Sequence, residues 1–142
     1  MIAKNERFGI KSAITVALLF MLLGTATELY LLEHFEDTLQ LIPLLCIGVS
    51  LVLLSLLYFW RKPVLATVFT VVLLFTGLSG LYGTFLHLRA NYEFELEMTP
   101  GAGGWDLFVE SLSGALPALA PLSMVVLALI GYSFLLLIKQ EK

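Results

Sequence analysis

The stretch Leu39–Trp60, LQLIPLLCIGVSLVLLSLLYFW, carries no charged residue, and its polar side chains are few and small apart from Gln40. A helix of this length rises about 33 Å at 1.5 Å per residue, enough to cross a hydrocarbon core of about 30 Å. Backbone N–H and C=O groups in lipid must be satisfied within the segment, so the stretch reads as a helix. Its end supports that reading. Tyr58-Phe59-Trp60 supplies an aromatic belt, and Arg61-Lys62 supplies cations that snorkel to the headgroups. Lys139 and Lys142 anchor the end of the chain in the same way.

Three further stretches resemble it: about 8–32, 64–88 and 119–138. The predicted fold is therefore all-α, a single four-span membrane domain over residues 1–142. The chain is 59% apolar and 13% charged, against about half and a quarter in a soluble domain. That composition excludes a soluble enzyme domain, a disordered chain and a repeat array. An outer-membrane barrel would show repeated alternating segments of about ten residues, and only one short stretch alternates here. The lone Cys46 excludes an intrachain disulfide or a CxxC pair. A net charge of −3 provides no footprint for nucleic acid.

The connections at 33–38 and 61–63 are short, which predicts antiparallel neighbours and an up-down-up-down bundle. Seven of the eight basic residues (Lys4, Arg7, Lys11, Arg61, Lys62, Lys139 and Lys142) fall on one side of these spans. The positive-inside rule then puts both termini in the cytoplasm, and the compact, loop-poor build suggests a bacterial inner membrane. Lys4, Arg7 and Lys11 before Ala13–Leu23 resemble the start of a signal peptide. The apolar run continues through Leu32, however, so it is expected to stay as a span.

The third connection, 89–118, is long and predicts an external cap. In Asn91–Met98, NYEFELEM, apolar Tyr92, Phe94, Leu96 and Met98 alternate with Glu93, Glu95 and Glu97, the pattern of an extended segment. After the break at 99–104, Trp105, Phe108, Val109, Leu112 and Leu116 fall at helical spacing, as in an interfacial amphipathic helix. Pro117 and Pro121 either break the chain before the fourth span or kink its first turn.

The polar chemistry gathers on the acidic side. Glu28 lies near the end of the first span, Glu33, His34 and Glu36 in the first loop, and His87 at the end of the third span. Carboxylates with imidazoles suit a divalent transition metal, so Glu28, Glu33, His34, Glu36 and His87 are the candidate ligands, although no cofactor is expected. Small-residue stripes, Ala17-Met21-Gly24-Glu28 and Thr76-Gly80-Gly83-His87, predict that the first and third spans approach and bring Glu28 to His87. Ser50, Ser55, Ser79, Ser123 and Ser133 are expected to bond back to helix carbonyls. No GxSxG, Walker A, HExxH or EF-hand spacing is present, so the reading leans away from an enzyme. The expected role is an accessory or interaction subunit whose partners are the bilayer and another membrane protein or itself. The alternative is a metal-handling or proton-coupled transport protein using Glu28, His34 and His87.

Overall fold

The computed structural model describes residues 4–140, with side chains from Gly9 onward. It contains five helices: α1 (Lys4–Leu31), α2 (Thr38–Phe59), α3 (Pro63–Met98), α4 (Gly104–Leu112) and α5 (Leu122–Lys139). No strand occurs among the described residues. Gly9–Leu31 of α1, together with α2, α3 and α5, are long and apolar enough to cross a membrane. Phe20, Leu31, Phe59 and Val64 are each more than two thirds exposed, an arrangement that suits lipid as the surrounding solvent.

The helix ends have local causes. At the end of α1, Glu33 N–H donates to Tyr30 C=O at 3.1 Å and His34 N–H to Leu29 C=O at 2.8 Å. Glu33 takes φ 53°. This is a Schellman motif with glutamate in the left-handed position usually held by glycine. Pro63 opens α3 from its first turn, where its missing N–H costs nothing. Pro121 caps α5, so the two prolines break the chain before the fourth span.

The extended reading of Asn91–Met98 is incorrect. α3 runs unbroken for 36 residues to Met98. Adding a residue to an existing helix is easier than nucleating a new element, and Glu, Leu and Met are good helix formers. An Arg89–Glu93 pair at 2.7 Å spans one turn of this segment. The helix stops only at Thr99-Pro100-Gly101, where Gly101 has φ 101°. Its length, about 54 Å, exceeds a hydrocarbon core by about 24 Å. The predicted amphipathic helix is present as α4, shorter than its expected 105–116, because Ser113-Gly114 ends it.

α1 packs on α2 and α5, and α3 packs on α2, α5 and α4. These contacts close a ring in which α1 and α3 occupy opposite corners. Leu18 and Leu22 of α1, Ile47, Leu54 and Leu57 of α2, Phe69 and Leu73 of α3, and Leu127 and Phe134 of α5 fill the centre. The inward stripe of α1 is therefore Leu18-Leu22-Thr25, one residue on from the predicted small-residue stripe; Ala17, Gly24 and Glu28 are exposed. On α3 the predicted stripe does face inward, with Thr76 and Gly80 buried. Its partner is α5: a Cβ on Gly80 would lie 2.6 Å from the Pro121 carbonyl oxygen and 2.9 Å from Met124 Cβ. Glycine here permits the backbones to approach.

Candidate functional site

The site is the helix end where α1 passes to α2 and where α3 meets the 113–121 segment. The Schellman turn sets the backbone of His34 directly after Glu33. On its other side, Gln40 reaches back from α2, and its Oε1 accepts from the backbone N–H groups of Glu36 at 2.9 Å and Asp37 at 3.2 Å. These bonds satisfy donors just ahead of α2 and tie the first loop to the first turn of that helix, with His34 half-buried.

His87 lies on the same α3 face as Gly80 and Thr84. Its Nδ1 is 3.1 Å from the Pro117 carbonyl oxygen. A carbonyl only accepts, so Nδ1 carries the proton and donates, and in neutral His87 Nε2 keeps its lone pair. His34 is close enough to sense His87. Burial pushes the His34 pKa below its ordinary value, and positive charge on His87 lowers it further.

One turn beyond His87, Asn91 is only 3% exposed and spends its whole amide on the neighbouring segment. Nδ2 donates to Ser111 C=O at 2.9 Å and to Leu116 C=O at 2.7 Å, while Oδ1 accepts from Leu116 N–H at 2.9 Å. Gly114 lets the loop approach, since a Cβ there would sit 2.5 Å from Asn91 Cγ. Sequence reading missed Asn91 because it fell at the start of the supposed extended segment. The available signal was the spacing Gly80-Thr84-His87-Asn91, which carries the inward stripe of α3 one turn past His87.

Of the five predicted ligands, His34 and His87 are linked only by electrostatics, the charge on His87 lowering the His34 pKa. Glu33 and Glu36 are exposed in the first loop. Glu28 stands on the outward face of α1, in an open shallow groove with Gly24, Thr27 and Leu31. No hydrogen bond or ion pair joins it to His87 among the described residues. The reason is the ring order: α1 and α3 are diagonal, and α1 turns its leucines inward. Among the described residues no three His, Cys, Asp or Glu side chains are grouped to hold a metal ion. The imidazole pair offers two nitrogen donors, where a structural zinc site uses four ligands.

Farther down the bundle, Ser55, Ser79 and Ser133 bond back to helix carbonyls as expected. Ser50 does not. It is fully buried, and its Oγ has no partner among the described residues. The chain matches no protein-family model, no curated protein and no solved structure.

Proposed function

We propose that the chain is a multi-pass membrane protein that acts as an accessory or interaction subunit. In this reading the four long helices cross the membrane up-down-up-down with both termini in the cytoplasm of a bacterial cell. The far end of α3 and α4 form an external cap beside the exposed acids. The supporting observation is Glu28. Its carboxylate lies on the outward face of α1, about one turn inside the helix end, and has no partner among the described residues. A carboxylate at that position is best satisfied by a donor or cation on a neighbouring membrane helix, and Gly24 beside it permits close approach. Photo-crosslinking in native membranes tests this. A probe at Thr27 should give a discrete adduct that Glu28→Gln removes, whereas a probe at the exposed Leu129 of α5 should give none. Differently tagged copies identify self-association. Equal labelling from both positions overturns the proposal.

A second reading, metal handling or proton-coupled transport through Glu28, His34 and His87, is supported by the electrostatic influence of His87 on His34. Zinc binding by the purified protein, lost in His34→Ala/His87→Ala, is its test. An unchanged zinc affinity in that variant sinks it.

A further inference from the structure

The end of the bundle opposite the histidines holds a cleft of about 190 Å³. The last turn of α2, the turn into α3, the first two turns of α3 and the last turns of α5 enclose it. Its floor is apolar, from Leu57, Ala66, Leu135 and Leu136, and its rim carries Arg61, Lys62 and Lys139. No carboxylate lines it among the described residues. The nearby threonines are already committed, since Thr67 and Thr70 donate to the carbonyls of Pro63 and Ala66. The rim therefore presents the ammonium groups of Lys62 and Lys139 to whatever enters.

The shape narrows the occupant. Drug-sized ligands occupy about 300–1,000 Å³, so the cleft holds a headgroup-sized body. Tyr58, Phe59 and Trp60 are exposed directly before the cationic turn, and aromatic belts of this kind sit at headgroup depth. A ligand here meets cations at the water interface and hydrocarbon immediately beneath them. A phospholipid has that division of chemistry, with a negative headgroup for the rim and acyl chains for the apolar floor and surrounding lipid. Basic pockets between membrane helices recognise anionic lipids for this reason.

We infer that the cleft bounded by Arg61, Lys62 and Lys139 binds the headgroup of an anionic phospholipid. The inference needs only the four membrane-length helices; it does not depend on the accessory role or on Glu28.

The test uses the full chain, purified in mild detergent and titrated separately with phosphatidylglycerol, phosphatidylcholine and inorganic phosphate. Thermal melting and native mass spectrometry are the readouts. Phosphatidylglycerol should raise the melting temperature and remain bound on transfer to the gas phase, and the other two should do neither. Each cation at an anionic headgroup is worth about fivefold in affinity, so Lys62→Gln/Lys139→Gln should weaken phosphatidylglycerol about 30-fold. Lys11→Gln, a cation outside the cleft, should leave it unchanged. Thr70→Phe fills the cleft without altering charge and should cause a comparable loss, which keeps the test valid if the double variant does not fold. Equal effects of phosphatidylcholine, a shift from phosphate alone, or wild-type affinity in either cleft variant overturns the inference.

Discussion

The two ends of the bundle are built on different principles. At the histidine end, polar groups are spent inside the molecule. Asn91 makes three hydrogen bonds to the 111–116 segment, His87 donates to Pro117, and Gln40 closes the first loop. At the basic end, Arg61, Lys62 and Lys139 rim an open cleft, and aromatic rings stand exposed beside it. One end is closed by hydrogen bonds that cannot be given up cheaply. The other is held by apolar packing beneath a charged rim. Substitutions at the first end should therefore change stability, and those at the second should change what the protein binds.

The largest expected effect tests the closed end. Asn91→Ala removes all three bonds and strands partly buried backbone groups, which should cost about 3 kcal/mol. Denaturant titration in micelles measures it, and a loss below about 1 kcal/mol would mean these bonds are not what holds the 111–116 segment to α3. Gly80→Ala comes next. The added methyl meets the Pro121 backbone, which cannot rotate away, and overpacking of this kind should cost about 2 kcal/mol. The same titration, with a wild-type result, would show that α3 and α5 have room to separate.

Glu33→Gly should act in the opposite direction. A left-handed backbone is unfavourable for glutamate and free for glycine, so the variant should gain about 1 kcal/mol. A melting temperature that falls would contradict the Schellman geometry.

The pH response is smaller and has a definite sign. The His34 pKa is lowered by burial and by charge on His87, so below its ordinary value the unfolded chain binds more protons than the folded one. Stability should be fully present above about pH 6.5 and decline as pH falls through that value. His34→Gln should flatten melting temperature between about pH 7.5 and 5.5, and an unchanged slope would place the response elsewhere.

The smallest effect belongs to the open end. Lys62→Gln or Lys139→Gln alone, in lipid-free detergent, should change stability by no more than about 0.5 kcal/mol. A larger loss would erase the contrast between the two ends.

The candidate site was partly legible. His34 and His87 were both assigned to the acidic side from their places beside helix ends, and His87 was paired with Glu28. Glu28 was assigned to them because small residues at helical spacing usually mark a close approach. On α3 that rule held and on α1 it failed. Gly80 meets Pro121, whereas a Cβ on Gly24 would meet nothing within 4 Å. Asn91 went unseen because seven alternating residues resembled an extended segment once the third span was assumed to end at Leu88.

The division follows from range. The number of long apolar helices, the turn at Arg61-Lys62-Pro63 and the break at Thr99-Pro100-Gly101 were set by residues adjacent in the chain, through helix length, proline geometry and glycine. Which face of each helix turns inward was decided only by tertiary packing. In α1, leucine and phenylalanine occupy every face, so the hydrophobic pattern carries no direction. Packing chose Leu18 and Leu22 over Ala17 and Gly24 because the larger side chains fill the ring between α2 and α5. The continuation of α3 to Met98 has local support in its helix-forming residues and the Arg89–Glu93 pair, whereas the burial of Asn91 rests on partners 20 and 25 residues farther along the chain.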